Sequence, residues 1–382
     1  MDTATIGETK TVELATGTLH LDVAHGPRID DLCDFAARAN PKRGFLIVSK
    51  VLGRHLPARP AQMRATMSRL ADQIDPNLPG PIVFLGMAET ATALGQGVFN
   101  AYVEQTGRDW VSYLQTSRQE MPGATTITSF EEGHSHATTH MVQIASATMS
   151  FHVRNAASLV IVDDESSTGN TFLAAAKAMA AVMPNLQVIQ TVCITDWSGG
   201  RYLDQMPKPA TAVSLLAGQM SWTKGADHKS PDLPAGSNEA GIAPATAMNS
   251  RGGITEAEKA ERLFANSETG ERVLVLGDGE HSYEALLIAE EIEMQGGIAA
   301  VQCITRSPAL LGHAMQSVSL FDDSYGSGAP CYLYNILGHR PDRIIIAAEN
   351  VANQREMAMN ALKQLGSSIP VELFECRYDG DA

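Results

Sequence analysis

Cysteine is scarce. Five occur in 382 residues (Cys33, Cys193, Cys303, Cys331 and Cys376), an odd number with no Cys-x-x-Cys pair. That excludes a disulfide framework and a cysteine-built zinc site. Long apolar runs are missing too: no stretch of about 18 apolar residues occurs, so a membrane span is not expected. The segment Met1–His20 is polar and β-like and carries no apolar signal core. Positive charge is in short supply, with 28 Lys+Arg against 43 Asp+Glu and a net charge of −15. This argues against a chain-wide surface for nucleic acid, while leaving room for a local basic pocket. The expectation is a reduced, soluble, cytoplasmic protein with no nucleic-acid or membrane partner.

What is present is an ordinary globular balance, 44% hydrophobic and 19% charged. The length exceeds the size at which one core stops growing, which predicts two domains. Apolar runs at 44–48, 81–86, 110–115, 159–162 and 187–194 alternate with helical patterns, notably one opened by Pro60 and an alanine-rich one from Thr171 to Met183. Such alternation predicts a mainly parallel sheet covered by helices. A second block repeats the pattern with strands at 272–276, 299–304, 343–348 and 370–374, and helices at 281–295 and 353–365. Between the blocks, Gly225–Gly253 is rich in Ala, Gly, Pro, Ser and Asn without apolar period, and reads as a linker. Thr255-Glu-Ala-Glu258 then forms a capping-box pattern. The expected organisation is therefore a first α/β domain over 1–224, a linker over 225–253 and a smaller α/β domain over 254–382.

The chemistry concentrates in Leu159-Val-Ile-Val-Asp-Asp-Glu-Ser-Ser-Thr-Gly-Asn-Thr171. A buried strand ends in Asp163 and Asp164, small hydroxyl residues follow, and a helix begins after Gly169. Loops at the carboxyl ends of parallel strands are where such sheets bind ligands. A helix N-terminus flanked by Ser and Thr is suited to a phosphate, and Gly169 allows close backbone approach. Two adjacent carboxylates can accept hydrogen bonds from vicinal hydroxyls or hold a hydrated Mg²⁺. Together these describe a site for a ribose 5-phosphate.

This run resembles the signature of the type I phosphoribosyltransferases, with Ser167 standing where Thr is commoner. The resemblance implies that Asp163 and Asp164 contact the ribose hydroxyls of phosphoribosyl pyrophosphate (PRPP). It also implies that Glu165, Ser166, Ser167, Thr168, Gly169, Asn170 and Thr171 wrap the 5-phosphate, with Mg²⁺ held by Asp163 and Asp164 through water or PRPP. The strand–Gly–helix junction Gly86-Met-Ala-Glu89 is then the candidate pyrophosphate loop. The polar segment 116–140 corresponds to a loop that closes over PRPP; it carries Arg118, a candidate pyrophosphate contact, together with His134, His136 and His140. Their spacing also admits a zinc reading, but no cysteine or fixed carboxylate completes that set.

Ser49-Lys-Val-Leu-Gly-Arg-His-Leu-Pro57 and Thr305-Arg-Ser-Pro308 resemble, together, a bacterial branch of phosphoribosyltransferase-like proteins of tellurite-resistance and stress gene clusters, whose second domain is named TRSP for that motif. Lys50, Arg54 and His55 are candidates for binding the acceptor, or simply a solvated loop. In the second block Leu276-Gly-Asp-Gly-Glu280 has Ser282 where a dinucleotide fingerprint needs its third Gly, so NAD is not expected. A second site built from Asp278, Glu280, His281, Thr305, Arg306 and Ser307 is the better reading, with domain packing as its rival. The sequence thus points to a Mg²⁺-dependent phosphoribosyltransferase that joins PRPP to a small base-like acceptor, and to a homo-oligomer, a dimer. The alternative is a non-catalytic PRPP or nucleotide sensor.

Overall fold

The computed structural model describes residues 7–38, 40, 43–131, 139–225, 241–242, 251–256, 265–349 and 369–376. In chain order the elements are β1 Thr9–Leu14, β2 Gly17–His25, α1 Ile29–Leu32, β3 Cys33–Ala37, β4 Phe45–Ser49, α2 Pro60–Ala71, β5 Ile82–Gly86, α3 Thr92–Thr106, β6 Val111–Ser117, β7 Gln119–Glu120, β8 Thr125–Glu131, β9 Thr139–Ile144, α4 Ala147–Asn155, β10 Ser158–Ser166, α5 Asn170–Ala180, β11 Val188–Asp196 and β12 Ala210–Lys224. There follow β13 Gly241–Ile242, β14 Ile254–Thr255, β15 Arg272–Asp278, α6 Tyr283–Met294, β16 Ile298–Ile304, β17 Val318–Asp322, β18 Pro330–Tyr334, β19 Arg343–Ala348 and β20 Val371–Glu375. The expected helix at 353–365 lies outside the described residues. None of the described helices is long and apolar enough to cross a membrane.

The chain forms two compact units. Unit A gathers the described residues up to Met63 with 219–225 and 265–376, and unit B gathers Arg64–Gly218 with 241–242 and 251–256. Compactness therefore groups residues that sequence order separates. In unit A the N-terminal stretch pairs directly with the later block, through the bridges Arg38↔Ala309 and Ala58↔Val301. The segment read as a linker is also partly structural, since β13 within it pairs with β7, and β14 just past it pairs with β6, both inside unit B.

Unit B is built on a sheet in the order β12-β11-β10-β5-β6-β9-β8. β12, β11, β10, β5 and β6 run parallel, whereas β9 is antiparallel to β6 and to β8. The parallel strands read as near-continuous apolar runs because helices cover both faces. β5 is buried throughout, and α5 turns Phe172, Ala175, Ala176 and Met179 inward at helical spacing. At the end of β5 two glycines allow α3 to approach: a Cβ on Gly95 would lie 2.7 Å from the Gly86 Cα. Gly107, left-handed at φ 62°, stops α3.

Unit A carries a smaller parallel sheet in the order β16-β15-β19-β20. Its core joins Leu274, Leu276, Ala300, Ile304, Leu333, Ile344 and Ile346. The β3–β4 hairpin adds a satellite cluster around Val48, Met315 and Tyr334.

Candidate functional site

In unit B the chain leaves β5 toward β6 on one side and leaves β10 toward β11 on the other. The crevice beyond the carboxyl ends of β5 and β10 is thus a topological switch point, the place where open parallel sheets bind ligands. Both loops singled out in the sequence converge there. Met87 N–H donates to the Val162 carbonyl at 2.9 Å, joining Gly86–Glu89 to the start of Asp163–Thr171.

β10 stays paired with β11 as far as Ser166↔Asp196, but its pairing with β5 stops at Val162↔Gly86. Asp163, Asp164 and Glu165 consequently stand half-buried at the crevice edge. The Asp163 Oδ1 accepts the Asp164 N–H at 2.9 Å, fixing the first turn of the loop. Burial, then the charges of Asp196, Asp163, Asp164 and Glu165, push the neighbouring Cys193 thiol well up, so it is no nucleophile.

Gly169 takes the N-cap position of α5 at φ 80°. Tyr202 presses on it, and the Tyr202 hydroxyl lies 2.6 Å from Thr191 Oγ1. The first amides of α5 have no intrahelical acceptor by construction; Asn170 N–H makes a long contact of 3.4 Å with Thr168 Oγ1 in the preceding loop. Ser166 Oγ, in the same loop, is buried without a hydrogen-bond partner. A cradle of amides with a buried hydroxyl lacking a partner fits an oxyanion.

On the opposite wall Glu89 is buried, with Oε2 3.8 Å from an Arg118 guanidinium nitrogen. Ala88 N–H donates to Thr116 Oγ1 at 2.8 Å, and that hydroxyl also meets His140 Nδ1 at 2.9 Å. His140 corrects the expectation of one long closing loop. It belongs to β9, is fully buried, and stacks on Phe130 with ring centroids 5.0 Å apart. Much of 116–140 is strand, because Thr, Ile and Phe alternate over Thr125–Glu131 and pair with β9. His134 and His136 lie outside the described residues.

One buried cation was not foreseen. Arg251, 1% exposed, donates to Ser117 Oγ at 3.2 Å and to Gln119 Oε1 at 3.1 Å, beside the carboxyl end of β6. It sits in the compositionally biased segment, where no periodicity marks it. Trp197, just past β11, is likewise buried with its Nε1 lacking a partner.

The remaining sequence candidates lie in unit A. Lys50 Nζ donates to the Asp30 carbonyl at 2.6 Å. Arg54 is buried and donates to the Gly279 carbonyl at 2.5 Å. His55 is buried too, and burial, followed by Arg54 and Arg38, pushes its pKa down to about 3. A solvated loop of three cations is therefore not what forms: His55 is neutral, and Arg54 is committed to a backbone carbonyl. Asp278, Glu280, His281 and Thr305 are 2–3% exposed at the ends of β15 and β16. Arg306 pairs with Asp323 at 2.9 Å, and Ser307 N–H donates to Thr305 Oγ1 at 3.1 Å. The described residues include no group of three or more His, Cys, Asp or Glu able to hold a metal ion by themselves.

Residues 32–225 match the family model of a phosphoribosyl transferase, PRTase_2, and residues 241–365 match the TRSP domain found C-terminal to it. Among solved structures, 47 chains match. They include adenine phosphoribosyltransferase from Rhodothermus marinus, at 14% identity over 49% of this chain and 97% of that one, with a TM-score of 0.34. Mycobacterium tuberculosis orotate phosphoribosyltransferase matches at 14% identity over 49% and 91%, with a TM-score of 0.29. Hypoxanthine phosphoribosyltransferase from Staphylococcus aureus matches at 14% over 42% and 77%, with a TM-score of 0.27. No curated protein matches.

Proposed function

This chain belongs to the phosphoribosyl transferase family PRTase_2, followed by a TRSP domain, and on that premise we propose that unit B transfers the 5-phosphoribosyl group of PRPP to a nitrogen of a small base-like acceptor. In this reaction the bond from C1 of the ribose to the pyrophosphate oxygen breaks, a C1–N bond forms, pyrophosphate leaves and the acceptor nitrogen loses its proton. The observation that carries the reading is the strand-to-helix loop of β10. Two carboxylates stand where the strand loses one neighbour, followed by an amide cradle led into by Gly169 at φ 80°.

Each part has a task. Asp163 and Asp164 accept hydrogen bonds from the ribose 2- and 3-hydroxyls, and the α5 amides with Ser166 Oγ take the 5-phosphate. Arg118 and the Glu89 end of the 86–89 loop face the pyrophosphate, the Met87 and Ala88 amides being spent on Val162 and Thr116, with Glu89 Oε2 3.8 Å from the guanidinium. The acidic pair is a hard-oxygen donor set that suits Mg²⁺ held through its water shell and the substrate rather than by a protein cage. When bound, Mg²⁺ supplies neutralisation of the leaving pyrophosphate. With a net charge of −15, the chain binds this polyanion through such local groups and not through bulk charge.

The test follows pyrophosphate release from PRPP–Mg²⁺ with a panel of purines, pyrimidines and related nitrogen heterocycles. Turnover with one of them identifies the acceptor. Tight PRPP binding with no release for any acceptor would replace the transferase reading by the sensor. The tie to tellurite resistance is checked in parallel, by asking whether a bacterial host that gains tellurite resistance from the wild-type chain loses it with Asp164→Asn.

A further inference from the structure

Unit A repeats, on a smaller sheet, the arrangement that makes a site in unit B. The chain leaves β15 through α6 to β16 on one side, while β19 leads to β20 on the other. The crevice between β15 and β19 is a second topological switch point. The residues that follow the strands there bear chemistry: Asp278, Glu280 and His281 after β15, Thr305 and Arg306 after β16, and Glu349 after β19.

His281 is 3% exposed. Its Nδ1 lies 3.2 Å from Glu284 Oε2 and 3.5 Å from Glu349 Oε1, so two carboxylates stand beside that edge of the ring. Its Nε2, on the far edge of the ring, is buried and has no hydrogen-bond partner. An imidazole oriented through one nitrogen and bare at the other is the arrangement of a histidine prepared to meet a ligand. His55 and His152 also bury one ring nitrogen without a hydrogen-bond partner; His281 differs from them in standing at the strand ends, where such a sheet binds ligands.

Three of the surrounding acids face other protein groups. Glu349 Oε2 accepts the Tyr325 hydroxyl at 2.7 Å, and Asp278 Oδ2 accepts Ser324 Oγ–H. Asp323 accepts from Arg306 at 2.9 Å and from the Ser327 amide at 2.7 Å. Arg54 clamps the Gly279 carbonyl, holding the β15–α6 loop. Arg306 keeps 17% of its side chain exposed while Asp323 keeps 1%, so the guanidinium is the part of that pair that reaches outward. The N-terminus of the 12-residue α6 adds its amides at the same strand end.

We propose that unit A holds a ligand site of its own at this switch point, which takes a small molecule bearing an oxyanion, phosphate or carboxylate, met by His281 Nε2 and Arg306. This site is independent of the reading of unit B. It gives the TRSP half of the chain a binding function rather than a purely structural one.

The experiment titrates the full chain with inorganic phosphate and, separately, with malonate, by calorimetry. The proteins are wild type, Gly169→Ala, His281→Gln and Arg306→Met, with PRPP binding and melting temperature measured for each. A second oxyanion site that survives Gly169→Ala and weakens at least tenfold in His281→Gln and Arg306→Met is the expected result, with PRPP affinity unchanged in the last two. Whether phosphate or malonate fills it assigns the oxyanion. If His281→Gln fails to fold, Arg306→Met, altered at a partly exposed side chain, decides alone. A single phosphate site abolished by Gly169→Ala, or oxyanion binding unchanged in His281→Gln or Arg306→Met, overturns the proposal. Failure of PRPP binding in wild type would instead count against unit B alone.

Discussion

Gly169 lies against the ring of Tyr202 so closely that a Cβ there would stand 2.0 Å from Tyr202 Cδ1, and its φ of 80° is one that L side chains rarely adopt. Two independent constraints thus require glycine at the entrance to α5. Gly169→Ala is expected to shift the loop and weaken PRPP binding by at least tenfold, about 1.4 kcal/mol. Adding Tyr202→Ala removes the clash but not the strain, so calorimetry on the double variant should show partial recovery. Full recovery would mean that only the ring matters.

Asp163 and Asp164 are expected to separate in their effects. The Asp163 carboxylate already accepts the Asp164 amide, so it shapes the loop as well as any ligand. Asp163→Ala should lower both melting temperature and PRPP affinity. Asp164→Asn should leave the melting temperature within a few degrees while costing tenfold or more in affinity. Equal affinity in wild type and Asp164→Asn would remove the basis of the ribose assignment.

Arg251 supplies a prediction about stability. It is buried, and its hydrogen bonds reach Ser117 and Gln119 across more than a hundred residues of chain. Arg251→Ala removes a donor from buried Gln119 Oε1 and one from Ser117 Oγ, which still accepts the Gln119 N–H, at a cost of about 2 kcal/mol. A fall in the urea midpoint with unchanged slope is the expected signature. An unchanged midpoint would show that the segment carrying Arg251 does not dock in solution.

His55 makes unit A sensitive to acid. Its folded pKa, about 3, lies below its unfolded value near 6.5. Between those values the unfolded chain binds the proton and the folded one does not. The contribution of neutral His55 is therefore fully present above about pH 6.5 and is lost as pH falls toward 3, at up to about 1.4 kcal/mol per pH unit. Urea unfolding at pH 7, 6 and 5 should show that slope in wild type and lose much of it in His55→Gln.

Much of this protein is legible in the chain. Parallel buried strands announce themselves as short apolar runs, since a strand covered on both faces has no polar side to show. The runs at 81–86, 159–162, 187–194, 272–276 and 299–304 each carry a strand. The loop from Asp163 to Thr171 was equally plain, because a site between a strand end and the next helix start is contiguous in sequence. The hairpin of β8 and β9 was harder: its half-exposed Thr and Ser residues look like a polar loop until a partner strand pairs with them.

The sequence by itself determined the α/β class, the places of most of the buried parallel strands and the candidate chemistry of the β10 loop, since each follows from residues a few positions apart. Only the tertiary structure decided which distant groups meet. It carried the described residues up to Met63 into the same compact unit as the block from residue 265. It buried Arg54 against Gly279, set Glu89 near Arg118, delivered Arg251 to Ser117 and left His281 Nε2 without a partner. Those pairings span up to a few hundred residues, and no local pattern encodes them. They arise when two sheets close their cores and every polar group carried inside must find a partner or be left for a ligand.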